Sequence, residues 1–301
     1  MKIAIIILNY QNFQDTIDCV KSIIMYPNNL EIFDLFIVDN ASPNQSGEKL
    51  SQFVFDLQLD NVFFIQNNEN KGYAAGNNVG IRHAETKFIY NYYWILNNDT
   101  IIPEKSIQSI IAYIQEHPEK QIIGSVLVYF DNPETIQATS GKFNFKKAMS
   151  SHLHSFSPLN TLGNDFEKGD YPVGASLLVK NTYIKNVGYM HQDYFLYFEE
   201  IEWITRGVKY FGNNQFWDIC KDFVVIHKEG ASTGSSKTKS QLSDFYYFRN
   251  RILFTQKYFP QNISTLYFSI FLGLSKRILK FQWKRVWMIV KIIGNPKKHY
   301  T

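Results

Sequence analysis

Cysteine is scarce in this sequence: Cys19 and Cys220 are the only two among 301 residues. They lie far apart and outside any CxxC spacing, which argues against a disulfide framework and for a reduced, cytosolic compartment. Long apolar runs are missing too. The stretch Ile263 to Leu274 is 12 residues and is closed by Lys276 and Arg277, whereas crossing a bilayer takes about 20. The N-terminal run Ile3 to Leu8 is too short for a signal peptide and lacks a small-residue cleavage site, so it reads as a buried first strand. No GxxxxGK[ST] and no GxGxxG occurs, which removes the P-loop and the dinucleotide fingerprint. Acidic residues stop at Asp244. Beyond it stand 11 Lys/Arg, leaving 20 Lys/Arg against 27 Asp/Glu in the rest of the chain. An acidic globule with a basic, aromatic tail calls for a polyanionic partner, either nucleic acid or an anionic membrane.

What is present alternates strand and helix. Continuous apolar strands are expected over 2–8, 35–38, 62–65 and 92–96. Helical spacing links Phe13, Ile17, Val20 and Ile24, with Pro27 as the stop; Leu50, Phe53, Val54 and Leu57; residues from Tyr73 to Glu85; and Ile107, Ile110, Ile111 and Ile114 after Pro103. Repeated β-α-β predicts an open, mostly parallel α/β sheet. Ligands in such sheets sit at the carboxyl ends of the strands, and three of these strands end in polar clusters: Asn9-Tyr10, Asp39-Asn40 and Asn97-Asn98-Asp99. Asn and Asp favour turns in any case, but all three ends carrying them is a functional signal. Gly72, Gly76 and Gly80 would share a helix face. Close packing is the favoured reading, with phosphate or sugar contact at Gly72 as the alternative. Short strands are expected from about 120 to 180, a mobile loop over 150–169, a helix over 200–211 and strands over 215–226 ending at His227. Residues 230–241 read as a flexible lid or linker, and the tail from 243 as helices. Trp283, Trp287 and Phe281 among lysines suggest an in-plane interfacial helix.

At this point the sequence resembles glycosyltransferase family 2. The resemblance rests on Ile7-Leu8-Asn9-Tyr10, Val38-Asp39-Asn40-Ala41-Ser42, the stretch Asn70 to Gly80, Leu96-Asn97-Asn98-Asp99, and Gly174-Ala175. It continues through Gly188-Tyr189-Met190, the run Asp193 to Glu202, Ile226-His227 to Ser232, and Tyr246-Tyr247-Phe248-Arg249-Asn250. Their order is similar to the bacterial rhamnosyltransferase-like branch. The resemblance implies a GT-A-type, Rossmann-like sheet with flanking helices over 1–242. Its nucleotide-binding half would span about 1–118 and its acceptor-side half 119–242, followed by a basic helical tail over 243–301.

It also implies a nucleoside-diphosphate sugar donor, UDP- or dTDP-linked, a divalent cation (Mn²⁺ or Mg²⁺) and inversion at the anomeric carbon. Asp99 matches the last acid of the family's Asp-x-Asp motif, with Asn97 in place of the first. His227 matches a histidine that completes the metal shell; the alternative is a strand-end histidine that is merely hydrogen-bonded. Asp39 and Tyr10 match positions that contact the base. Asn9, Asn40, Gly72, Asn77 and Asn98 complete the expected donor site. Glu200 is in register with the catalytic base, with Asp99 as its catalytic partner on the metal side. Glu199 and Trp203 are placed on the acceptor side, although core packing is the better reading for Trp203. Glu202 and Arg206, four apart on a helix, are expected to form a surface ion pair.

The expected acceptor is a saccharide or a lipid-linked chain of bacterial surface polysaccharide. The expected location is the inner face of the plasma membrane, contacted through the tail and without nucleic acid. A sugar-nucleotide nucleotidyltransferase would need a Gly-rich basic loop after the first strand, and Asn9-Tyr10-Gln11-Asn12-Phe13 is not one. A non-catalytic polyanion-binding protein leaves the polar strand ends unexplained.

Overall fold

The computed structural model describes residues 1–26, 31–228, 240–297 and 300. The expected stop at Pro27, the 229–232 end of the His227 motif, most of the lid (230–239) and Lys298 lie outside the described residues.

The first half follows the apolar pattern closely. Strands β1 (Ile3–Asn9), β2 (Phe33–Asp39), β3 (Val62–Gln66) and β4 (Tyr92–Asn97) run parallel, separated by helices α1 (Phe13–Ile24), α2 (Ser46–Leu57) and α3 (Tyr73–Lys87). Side chains alternate across a strand, so β1 feeds two cores. Ile3, Ile5 and Ile7 join Trp94, Val20 and Leu50 on the α1–α2 face, while Ala4 and Ile6 join Phe36 and Ile81 on the α3 face. That is why the run is apolar at every position. On α3, Gly76 and Gly80 lie so close to β1 that a Cβ would stand 2.4 Å from Leu8 or Ile6; the shared face is a packing seam.

The second half adds β5 (Thr100–Ile101), α4 (Glu104–Glu116), β6 (Ile122–Tyr129), β7 (Ile136–Ala138), the hairpin β8 (Gly141–Asn144) and β9 (Met149–His152), and β10 (Ser176–Lys180). After it come α5 (Asn181–Val187), α6 (Glu199–Phe211) and β11 (Trp217–His227). The main path of the sheet is β3-β2-β1-β4-β10-β6-β11-β5. It is mixed: β1 to β4, β6 and β11 share one direction, as expected of a mostly parallel sheet, while β10 runs antiparallel to both β4 and β6. No α-helix crosses back between β6 and β10; without a crossover the chain re-enters from the same end and must run the other way. The segment expected as a mobile loop is sewn down instead. Ile136 N donates to Ser157 O, Phe156 N to Ile136 O and Leu153 N to Ser140 O.

Three C-terminal helices close the fold: α7 (Gln241–Tyr258), α8 (Ile263–Leu279) and α9 (Trp283–Gly294). The expected boundary at 242 falls inside α7, whose Phe248, Ile252 and Phe254 share one core with Ile95 and Phe198. Nor are the tail's basic residues all available to a partner. Arg249 donates to Asp193 O, Arg251 to Lys147 O and Ser269 Oγ, and Arg277 and Arg285 both bind the buried carboxylate of Asp244. The Glu202–Arg206 pair forms, but inside: Glu202 is fully buried and also accepts from the Tyr258 hydroxyl, tying α6 to α7.

Among the described residues, Asp244 is the anion that holds α7, α8 and α9 together through charge. Asp244→Ala leaves two partly buried arginines facing each other and should destabilise the protein by roughly 2–4 kcal/mol. Urea unfolding checks this; a loss below about 0.5 kcal/mol would mean that the cluster contributes no net stability.

Candidate active site

The polar strand ends converge, and their geometry starts from the chain's connectivity. Only Asn98 and Asp99 separate β4 from β5, yet β5 pairs with β11 at the far edge of the sheet. Laid flat, four strand spacings of about 4.8 Å separate those strands, and three Cα–Cα steps reach at most about 11 Å. The sheet therefore curls, and the seam brings Thr100 opposite His227. Asp99 is held at that seam. Its carbonyl accepts from Lys228 N at 2.9 Å, and its Oδ1 lies 3.2 Å from His227 Nε2. On the other side of the imidazole, His227 Nδ1 meets Gln137 Oε1 from β7 at 2.7 Å. An amide oxygen only accepts, so Nδ1 carries the hydrogen and Nε2 faces Asp99.

This arrangement fits a divalent cation. Two ligands in adjacent positions of a shell with bonds of about 2.1 Å stand roughly 3 Å apart, close to the observed separation. The outer hydrogen bond to Gln137 is the kind that fixes a ligating imidazole. Among the described residues no group of three or more His, Cys, Asp or Glu is placed to hold a metal. The rest of such a shell would come from a bound diphosphate and water. Asn97, at the first position of the Asp-x-Asp motif, has its Oδ1 occupied by the Tyr73 hydroxyl at 3.0 Å.

Tyr73 links this seam to the acids of α6. Its hydroxyl also lies 2.9 Å from Gly174 O, and Gly174 is the residue against which the Glu200 carboxyl packs. Burial, with Glu199, Glu200 and Asp99 nearby, holds the phenol well above its ordinary pKa, so it stays a donor. Burial likewise pushes Glu200 up to about 7 and Glu199 well above the usual carboxylate range, the latter also raised by the charge of Glu200. The two are not equivalent. Glu200 keeps some exposure, whereas Glu199 is 3% exposed and its Oε1 has no hydrogen-bond partner.

Several residues expected on the donor or acceptor turn out to build the walls. Asp39 is fully buried and saturated: Oδ1 accepts from Asn9 Nδ2 and Ser42 Oγ, and Oδ2 from Ser42 N and Gln66 Nε2. It shapes the turn after β2 rather than lying open to a base. Asn9, equally buried, joins Asp39 to Thr16 and Asn98, and Asn98 in turn donates to Asn12 O and Thr16 Oγ1. Asn40 bridges to Asn67, Asn70 and Gly72 O. Gly72 has φ +94°, and a Cβ there would stand 2.3 Å from Phe195 O, so its task is to admit the 190s loop and not a phosphate. Asn77 is buried and donates to Tyr73 O. Trp203 is buried, with its indole N–H on Gly188 O at 2.8 Å; it belongs to the core and does not reach an acceptor. Glu199 is too enclosed to meet one. Of the Asn9-Tyr10 pair that ends β1, Tyr10 remains half-exposed, beside Gln11 at φ +66°.

Four residues escaped the sequence reading: Tyr73, Gln137, Lys228 and, in its role, Asn250. Lys228 binds Asp15 at 2.6 Å and Asp18 at 2.9 Å, and its position next to His227 was the available signal. Gln137 has none, since it sits in a three-residue strand. Asn250 lies within a motif already noted, but its partners are remote in sequence. It is fully buried and its amide donates to Leu196 O and Tyr197 O, just where Tyr197 and Phe198 adopt φ +70° and +78°. Two successive side-chain-bearing residues in the left-handed region are costly, and this clamp holds the bend that presents Glu199-Glu200 at the start of α6.

Comparison with known proteins gives a consistent picture. Residues 4–174 match the family described as Glycosyl transferase family 2. The low-salt glycan biosynthesis hexosyltransferase Agl10 of Haloferax volcanii is 22% identical over 303 aligned residues, covering 99% of this chain and 87% of that protein. Among solved structures, GalNAc-T7 with UDP, GalNAc and Mn²⁺ superposes with a TM-score of 0.60 at 11% identity, over 83% of this chain and 50% of that one. This chain thus spans half the length of that protein. The mannosyltransferase PcManGT of Pyrobaculum calidifontis, in complex with GDP-Man and Mn²⁺, gives 0.55 at 11% identity over 97% and 85%. At these identities the structures establish the GT-A fold.

The clamp makes a direct prediction. Asn250→Ala strips two carbonyls of their donor and should cost about 1–3 kcal/mol. Asn250→Asp, nearly isosteric but unable to donate, should cost at least as much. Thermal unfolding of both variants decides: an undisturbed Asp variant would show that shape and not hydrogen bonding matters here.

Proposed function

The chain belongs to glycosyl transferase family 2, and from that premise we propose an inverting, divalent-metal-dependent transfer of one sugar from a nucleoside-diphosphate donor. The observation that supports it most is the pairing of two unlike groups at one end of the sheet. These are the Asp99–His227 pair backed by Gln137, and the half-buried Glu200 with its raised pKa; the Tyr73 hydroxyl stands between them, bonded to Asn97 Oδ1 on one side and Gly174 O on the other.

Asp99 and His227 would hold the cation, which when bound supplies positive charge to the departing diphosphate. Glu200 is the proposed base. It takes the proton of the acceptor hydroxyl as that oxygen forms a bond to the anomeric carbon. The bond from that carbon to the diphosphate breaks on the opposite face, and its electron pair leaves on the diphosphate oxygen. A base is most useful near the operating pH, and desolvation of Glu200 moves it there. Glu199, the more deeply enclosed neighbour, supports the start of α6 rather than exchanging protons with substrate.

For the donor we propose a UDP- or dTDP-linked sugar, with Tyr10 stacking on the base. Asp39 meets the base only if the exposed Gln66 side chain yields its bond to Oδ2, an exchange of one N–H donor for another. Within the family, the order and spacing of the motifs, in the second half from Gly174-Ala175 through 188–202 and 226–232 to 246–250, favour the rhamnosyltransferase-like branch, while the Haloferax volcanii relative is named a hexosyltransferase. The proposed acceptor is a saccharide or lipid-linked chain in bacterial surface polysaccharide synthesis, met on the cytoplasmic side of the membrane.

Release of nucleoside diphosphate from UDP-, dTDP- and GDP-sugars with Mn²⁺ tests the reading. Asp99→Ala should lower turnover by on the order of 10²-fold or more, and EDTA should do the same to the wild type; full activity in EDTA would refute a metal-assisted transfer. Glu200→Gln should cut kcat by about 10²–10⁴-fold with donor binding nearly intact. A base must be deprotonated to act, so wild-type kcat/KM should rise with pH and level off above about 7. A flat profile, or the same profile in residual Glu200→Gln activity, would place the base elsewhere.

A further inference from the structure

Helices α8 and α9 each bury one edge and leave the other bare. In α8, Leu266, Ile270 and Leu274 face the core, while Phe268, Phe271 and Leu279 are 61–79% exposed. In α9, Ile289 and Ile292 face inward, while Trp283 and Trp287 are 57% and 62% exposed. Spacings of three and eleven in α8 and of four in α9 put these exposed side chains on one stripe of each helix. Isolated apolar residues on a surface are ordinary, but exposed apolar stripes on two consecutive helices mark a contact surface.

The charge on the same helices identifies the partner. Lys276, Lys280, Lys284 and Lys291 are exposed around the stripes, and neither helix contains an acidic residue. The other two cations of α8 and α9, Arg277 and Arg285, are spent on Asp244 and are not part of the surface. A second copy of the chain, docked about a two-fold axis, would set these lysines against their own counterparts. A nucleic acid would satisfy the lysines but leave aliphatic Leu279 facing phosphate. No described helix is long and apolar enough to cross a membrane, so insertion is limited to the interface.

We propose that the α8–α9 face docks on an anionic lipid surface, with Trp283, Trp287 and the α8 phenylalanines at the level of the headgroups and the four lysines on their phosphates. Tryptophan suits that position because its ring is apolar and its N–H is polar. The inference deepens the proposed function by supplying the surface on which a lipid-linked acceptor is met, and it rests on that reading only for the acceptor.

Sedimentation of the full chain with vesicles tests it. Vesicles of phosphatidylcholine and phosphatidylglycerol at 3:1 should bind the protein; pure phosphatidylcholine should bind it far more weakly, and about 0.5 M salt should release it. Each lysine contributes roughly fivefold in partitioning at low salt. The quadruple variant Lys276→Gln, Lys280→Gln, Lys284→Gln, Lys291→Gln should therefore lose binding by several hundredfold, roughly four fivefold factors at low salt. Trp94, Trp203 and Trp217 are buried, so a blue shift of fluorescence on vesicle binding reports Trp283 and Trp287. Equal binding to neutral vesicles, an unaffected quadruple variant, or a stable dimer that shifts the same fluorescence without lipid would each overturn the proposal. UDP binding with Mn²⁺, measured by calorimetry without vesicles, should be the same in wild type and quadruple variant. Its absence in both would count against the proposed transfer and leave the docking result standing.

Discussion

Two residues, Asn98 and Asp99, carry the chain from a strand in the middle of the sheet to one at its edge. A flat sheet cannot accommodate so short a link, so the far strands bend round until the end of β11 lies against the end of β4. The consequence is chemical as much as architectural. Asp99 comes from the first half of the chain and His227 from the last strand, and the closure of the sheet is what sets their side chains 3.2 Å apart. Gln137, on the antiparallel strand beside β6, then fixes the imidazole from behind. A site built across such a seam is rigid because loosening it means opening the sheet.

Around that seam lies a second layer of buried amides and carboxylates. Asn9, Asp39, Asn40 and Asn98 exchange hydrogen bonds with one another or with the turns that follow the strands, and leave few lone pairs for a ligand. Burying polar groups is tolerable only when they are paired, and here the pairing holds the strand ends in register. These residues fix the turn after β2 and the 67–72 loop.

On the other side of the site the balance is reversed. The 193–198 loop is bent through two left-handed residues and held by Gly72, Arg249 and Asn250. It delivers two consecutive acids to the start of a helix that is otherwise in the core. Removing them from water raises both pKa values, and only the half-exposed Glu200 can use its proton affinity on anything outside the protein. The C-terminal helices complete this support: α7 supplies the clamp, while α8 and α9 are locked to it through Asp244.

The alternating α/β order, the doubly buried first strand and the three polar strand ends were legible in the sequence because each depends on local spacing. The same holds for the Gly76–Gly80 packing face. Tertiary structure alone decided the rest. Whether β10 runs up or down depends on there being no crossover before it, and that is a matter of topology. That Asp39 is saturated, Trp203 buried and Glu202 sealed inside follows from partners 27, 15 and 56 residues away. No local pattern encodes those distances. The basic tail is the clearest case. Composition counts its charges, but only packing shows that four arginines are consumed inside the fold while four lysines stay with the aromatic stripes. A side chain's charge is set by its own chemistry, and its availability by what the rest of the chain places next to it.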